Sequence, residues 1–159
     1  MNIFALSSDP QEAAQFVIDR HAVKMVLETA QLLSTVSWRY GVAAPYRATH
    51  VQHPCTLWAG ATQANWDWLI QHGLGLADEY ARRYGRTHKS RAIIEWAKES
   101  GGRPPAGQLT PFALAMPEQY KTQDAVESYR AYYRGAKAAF ATWKAPAHPP
   151  CWWKGTPDA

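Results

Sequence analysis

The chain has 159 residues, 47% of them apolar and 19% charged, a balance that supports a packed core and excludes a disordered tail. That length suits one domain over residues 1–159 and not two independent cores. Lys and Arg number 17 against 13 Asp and Glu, a net charge of +4 that by itself points only weakly to an acidic partner.

No apolar run reaches the roughly 18 residues that a membrane span needs. Met1 to Leu6 carries no basic flank, so no signal peptide is expected. Cys55 and Cys151 stand far apart and make no disulfide framework, which fits a cytoplasmic protein. Eight Trp, eight Tyr and four Phe offer either a core stapled by large side chains or a surface on which bases stack.

In chain order, Asn2 to Leu6 is the one stretch with strand-like alternation. Asp9-Pro10-Gln11-Glu12 then reads as a helix start, with Asp9 as cap, Pro10 in first position and Glu12 closing a capping box. Helical periodicity runs on to Tyr40, stopped by Gly41, and its length predicts a break near Asp19-Arg20. Residues 42–53 read as a loop. A second helix is expected from Pro54 to Tyr84, ended by Gly85. Gly60, Gly73 and Gly75 lie inside it, each costing about 1 kcal/mol relative to Ala. A kink, a break or close packing is therefore expected near Gly73. A third helix covers Ser90 to Glu99, and a wrapped loop with Pro104, Pro105, Pro111 and Pro117 follows. A fourth helix runs from Thr122 to Trp143, and Pro146, Pro149, Pro150 and Pro157 keep the tail non-helical. The class is all-α: a compact bundle of about four helices with long proline-rich loops and an aromatic C-terminal tail.

At about 100° per residue, His21, Lys24, Glu28, Gln31 and Thr35 fall in one narrow arc of the first helix, and apolar side chains fill most of the remainder. Such a stripe is either the helix's solvent strip or the lining of a site; Lys24 and Glu28 also read as an ordinary i,i+4 pair. On the second helix Asn65, His72, Glu79 and Arg83 share a face. Two antiparallel helices with facing stripes would enclose Glu28, His21, Glu79, Asn65 and Arg83, as bundle sites are built. The alternative is two structural ion pairs, Lys24–Glu28 and Glu79–Arg83. The loop before Pro54 places Arg47, His50 and His53 ahead of a helix start, where they would hold a phosphate or simply cap the turn.

His53-Pro54-Cys55 and His148-Pro149-Pro150-Cys151 offer a donor set zinc accepts, at spacings unlike familiar zinc modules. His21, Glu28, His50, Glu79 and His88 are a second divalent-metal reading, and no other cofactor is expected. Arg82, Arg83, Arg86, Lys89 and Arg91 cluster around Gly85; Arg130, Arg134, Lys137 and Lys144 share a face of the expected fourth helix. Tyr80, Tyr84, Tyr129, Tyr133, Trp152 and Trp153 interleave with them. Charge for phosphates and π-faces for bases suit a DNA-tracking surface, although solvated faces also carry charge runs. Neither a Gly-rich phosphate loop nor a G-x-S-x-G elbow is present, which disfavours P-loop hydrolysis and hydride transfer.

Asn2-Ile3-Phe4, Asp19-Arg20-His21-Ala22-Val23-Lys24-Met25, Leu27-Glu28-Thr29-Ala30-Gln31-Leu32-Leu33, His50-x-x-His53-Pro54-Cys55 and Glu79-Tyr80-x-x-Arg83-Tyr84-Gly85 together are similar to a family of small uncharacterised phage proteins. The chain also resembles, in order and residue type, the phage pyrimidine-dimer DNA glycosylases. The shared features are a start leading into a long helix with a catalytic glutamate, a second long helix ending in basic residues, and an aromatic tail, here Pro150-Cys151-Trp152-Trp153. This resemblance implies that Glu28 is the catalytic carboxylate, with His21 and Lys24 beside it, and that an amine attacks the sugar. In that family the amine belongs to a small residue exposed by loss of the initiator Met. Residue 2 here is Asn, too bulky for usual Met removal, so the amine falls to Met1, or to Lys24 if desolvated.

The expectation is a glycosylase/lyase-like enzyme acting on DNA, with a damaged or modified base flipped into a cleft between the first two helices. Its catalytic candidates are Glu28, His21, Lys24 and Met1. Its substrate-binding candidates are Gln31, Arg47, His50, His53, Asn65, Glu79, Arg83, His88, Arg130, Arg134 and Trp152. The expected partner is DNA or a nucleotide, with no membrane. Two alternatives stand beside it: metal-assisted modification of a base or nucleotide in phage DNA metabolism, and a non-catalytic DNA- or protein-binding module whose polar stripes are structural.

Overall fold

Asp9 Oδ1 accepts the Glu12 N–H at 2.7 Å and opens α1, Pro10–Phe16. Glu12 does not close the expected box onto Asp9. Its carboxylate takes the Ser7 hydroxyl, and Ser7 Oγ accepts the Asp9 N–H at 3.2 Å. The computed structural model, which describes residues 1–154, next breaks the chain at Val17-Ile18 and begins α2, Asp19–Arg39. The first long periodic run is thus two helices, divided where expected. Pro157 lies outside the described residues.

The second run divides as well, but at Gly60 and not near Gly73. α3, Pro54–Ala59, ends at Gly60, and the Thr62 hydroxyl caps α4, Gln63–Tyr84, by accepting the Asn65 N–H at 3.1 Å. Gly73 sits in unbroken helix. A Cβ there would stand 2.6 Å from Thr29 Cγ2, so close packing of α4 on α2 is what this glycine permits. Gly85, at φ 68°, ends α4 in the left-handed conformation. α5 is Arg91–Ser100.

The fourth expected helix departs most. α6, Ala125–Tyr132, covers only its start. Tyr133–Lys137 then widens into a π turn, and Ala138–Phe140 tightens into a 3-10 turn. Gly135 lies in the widened turn against Tyr120, where a Cβ would come 2.5 Å from Cε1. A uniform helix would carry Arg130, Arg134 and Lys137 on one face; here Arg130 reaches the Leu6 carbonyl, Arg134 pairs with Glu127 and Lys137 lies over Tyr132. Among the described residues, six α-helices therefore stand where about four were expected. No strand forms among the described residues; in Asn2 to Leu6 the Ala5 and Leu6 N–H groups donate to the Ile3 and Phe4 carbonyls, two residues back. The class is all-α.

α2 is the central element. It packs on α3, α4 and α5, and α1 lies along α4. Leu6, Ile18, Leu32, Leu33, Leu69, Leu76 and Ile94 are fully buried, each contributing about 1.5–3 kcal/mol by leaving water. Ile3 to Ser7 is buried too. Phe4 stacks on His21 of α2 at 4.0 Å and meets the Tyr129 ring of α6 edge-on at 6.1 Å. This clamp lays the first two residues against the middle of α2.

The polar stripe of α4 does not face Glu28 across one cleft, which corrects the expected enclosure. Arg83 is buried, with Nε donating to Glu79 at 2.8 Å, Nη1 to Asp19 at 3.0 Å and Nη2 to the Gln15 carbonyl at 3.2 Å. Asp19 Oδ1 also accepts the Lys144 N–H at 2.8 Å, tying the segment after α6 across the α1–α2 junction. Asn65 lies elsewhere on α4, donating to the Trp58 carbonyl and to Thr110 Oγ1, both at 2.8 Å.

Candidate active site

The N-terminal residues are positioned through the Asn2 side chain. Its Nδ2 donates to the Ala115 carbonyl at 2.8 Å, and its Oδ1 accepts from the Tyr129 hydroxyl at 3.1 Å and from the Cys55 thiol at 3.7 Å. So held, the Asn2 backbone N–H donates to Glu28 Oε2 at 3.1 Å, and the Met1 ammonium stands 3.5 Å from the same oxygen. Lys24 Nζ lies 3.3 Å from Glu28 Oε1, one helical turn back on α2. The Glu28 side chain is buried, whereas that of Lys24 is 63% exposed.

These groups form one wall of a cavity of about 470 Å³. His21 and His53 line it beside them. The rest of the lining includes Leu114–Met116 of the long loop, with Tyr132 and Lys137 from α6 and the π turn. The cavity therefore opens between α2, the chain start, the head of α3 and the C-terminal segments, and not between the two long helices.

His21 is held neutral. Burial, then the nearby Lys137, Lys24 and Arg20, lower its pKa to about 3, and its Nδ1 shares a 2.6 Å hydrogen bond with the buried Tyr133 hydroxyl. His53 accepts the Cys55 N–H on Nδ1 at 3.1 Å, capping α3. Partial burial, then the terminal amine and His50, lower its pKa as well. Burial pushes the Cys55 thiol up to about 11, so it remains a thiol and donates to Asn2. The cavity thus combines a primary amine, a carboxylate in contact with it, and neutral imidazoles.

Other candidates lie apart. Gln31 and Arg47 line a second cavity, of about 610 Å³, with Leu27 and Tyr46. His50, at φ 49°, is exposed and bonds Thr49 Oγ1 through Nδ1 at 2.8 Å. His88 donates from Nε2 to the Val23 carbonyl and accepts the Ser90 N–H on Nδ1, both at 3.0 Å, so it fixes a loop onto α2. Glu79 and Arg83 are consumed by the buried network, and Arg82 also pairs with Glu79 at 2.6 Å. Arg130 donates to the Leu6 carbonyl at 2.9 Å and lies over the Trp152 ring at 5.2 Å. Arg134 pairs with Glu127. Trp152 packs on Phe16 and Tyr133 rather than facing the cavity.

Among the described residues no group of three or more His, Cys, Asp or Glu is arranged to hold a metal. Of the zinc donor set weighed above, Cys55 is buried against Asn2, while Cys151 is exposed. No helix among the described residues is long and apolar enough to cross a membrane.

Three cavity features escaped the sequence reading. Asn2 carries no signal beyond its place next to Met1. Leu114–Met116 lies in a proline-rich loop with no periodicity. Lys137 stood out only as one charge of a basic face.

A family model described as pyrimidine dimer DNA glycosylase matches residues 1–92. No curated protein and no solved structure matches the chain significantly. The matched stretch carries Met1, His21, Lys24, Glu28 and His53, while Leu114–Met116, Tyr132 and Lys137 of the cavity lining fall beyond it.

Proposed function

The chain belongs to the pyrimidine dimer DNA glycosylase family, and from that premise we propose that it removes a damaged base through the Met1 amine and the Glu28 carboxylate, then cleaves the strand in a lyase step. The observation that carries this reading is the amine standing 3.5 Å from a buried carboxylate at the edge of an open cavity.

A base inside a duplex is out of reach, so the nucleotide must leave the stack and bring its sugar to the cavity. Water takes the proton that the ammonium must lose before it is a nucleophile, and Glu28 stays a carboxylate beside the amine. The amine nitrogen then attacks C1′. The N–C1′ bond forms, the bond from C1′ to the base breaks, and the base leaves with the electron pair and takes up a proton. The Glu28 carboxylate stabilises the positive charge that develops on the sugar. Breaking the C1′–O4′ bond opens the ring; O4′ takes a proton, and an imine joins Met1 to C1′. Loss of a C2′ proton to Glu28 expels the 3′ phosphate oxygen and cuts the strand. Water hydrolyses the imine and frees the amine. Lys24, exposed on the outer side of Glu28, acts as its charge partner.

Glu28→Gln keeps the shape and removes the charge. Single-turnover cleavage of duplex DNA containing a pyrimidine dimer is expected to fall about 10²–10⁴-fold, with binding retained. Turnover within a few-fold of the unaltered protein would refute the assignment.

A further inference from the structure

Part of the cavity lining lies outside the family match, and its one charged residue is Lys137. We infer that Lys137 is a further substrate-binding residue, holding a DNA phosphate at the cavity that Glu28 also lines. The inference rests on the glycosylase reading above.

Charge balance is the first ground. The Met1 ammonium and Lys24 both contact Glu28, so the single carboxylate on the cavity wall already has two cations. His21, lowered to about 3, adds no charge that offsets or opposes them at neutral pH. Lys137 makes a third cation on a cavity lined by one carboxylate. A water-filled cavity with that surplus attracts an anion, and each phosphodiester flanking an extruded nucleotide supplies one negative charge.

The second ground is that the neighbouring cations are committed and Lys137 is not. Arg130 is taken by the Leu6 carbonyl and the Trp152 ring, and Arg134 by Glu127. Among the described residues Lys137 has no carboxylate or carbonyl partner. Its ammonium stands 4.7 Å over the Tyr132 ring and 5.8 Å from the centre of Phe140. Those rings fix the stem and leave the N–H donors unspent.

The third ground is local geometry. Lys137 closes the π turn that begins at Tyr133, the residue whose hydroxyl meets His21. One widened turn therefore serves the same cavity twice, a usual place for such turns.

The test measures equilibrium binding of the full chain to a duplex carrying a tetrahydrofuran abasic analogue, which cannot form an imine, across a series of salt concentrations. Lys137→Gln is expected to weaken binding about tenfold at moderate salt. It should also flatten the slope of log affinity against log salt by about 0.9, the share of one phosphate contact. Lys137→Arg should restore both. An unchanged slope, or a loss of affinity that Arg does not restore, overturns the inference. Borohydride treatment of the unaltered protein with a natural abasic duplex is run alongside. Absence of an adduct there counts against the amine chemistry and leaves the salt slope to judge Lys137.

Discussion

Arg83→Met separates a structural cation from a phosphate-binding one. The Arg83 guanidinium is fully buried and makes two hydrogen bonds to carboxylates and one to a carbonyl. Each bond to a charged partner is worth about 1.5–3 kcal/mol, and breaking a buried ion pair typically costs 3–5 kcal/mol. The partners left behind are not wholly stranded: Glu79 keeps Arg82, and Asp19 keeps the Lys144 N–H. Met fills the vacated volume without a charge to desolvate. The expected loss is therefore about 2–4 kcal/mol, or roughly 4–16 °C in Tm for a chain of this size. Urea and thermal unfolding measure it directly. Arg82→Met, on an exposed side chain paired with the same Glu79, serves as the control and should cost under about 1 kcal/mol. Below its melting range Arg83→Met should bind DNA with an unchanged salt dependence. A stability change under about 0.5 kcal/mol, or a flattened salt slope, would refute the assignment of Arg83 to the core.

The protein should lose stability in acid. The pKa values of His21 and His72 fall from 6.5 to about 3 and about 4 in the folded state, chiefly through burial, so the unfolded chain takes protons first. Their contribution is complete above pH 6.5 and drains away as pH falls toward those folded values. Urea midpoints at about pH 7 and about pH 5 should differ accordingly, and a flat profile would contradict the burial assigned to them. Gly73→Ala should destabilise by about 1–3 kcal/mol despite Ala's better helix propensity, because its Cβ would stand 2.6 Å from Thr29 Cγ2. A stabilised variant in chemical denaturation would mean that α2 and α4 pack less tightly than described.

Local chemistry was legible in the sequence. Asp9-Pro10 and Gly85 act through their own backbone and nearest neighbours, so they start and stop helices as their residue types dictate. His21, Lys24 and Glu28 lie on one face of one helix, so their spacing alone brought them together. Gln31 continues that arc but reaches a different cavity, because Tyr46 and Arg47 cross α2 there. The end of α6 was not legible: Tyr120 against Gly135 and His21 against Tyr133 are contacts between distant segments. Arg83 and Arg82 are adjacent in sequence and alike in chemistry, yet one is buried and the other exposed. Composition does not separate them; the turn of α4 toward Asp19 does. The place of Leu114–Met116 in the cavity lining depends on Asn2 reaching Ala115, a contact that no periodicity signals.

The central claim is that the Met1 amine forms the covalent bond to the sugar. Incubating the full chain with duplex DNA bearing a pyrimidine dimer or an abasic site under borohydride, then mapping the modified peptide by mass spectrometry, tests it most directly. The account predicts a reduced adduct on the Met1 nitrogen, absent in Glu28→Gln. An adduct on Lys24, or DNA binding with no adduct at all, would contradict it.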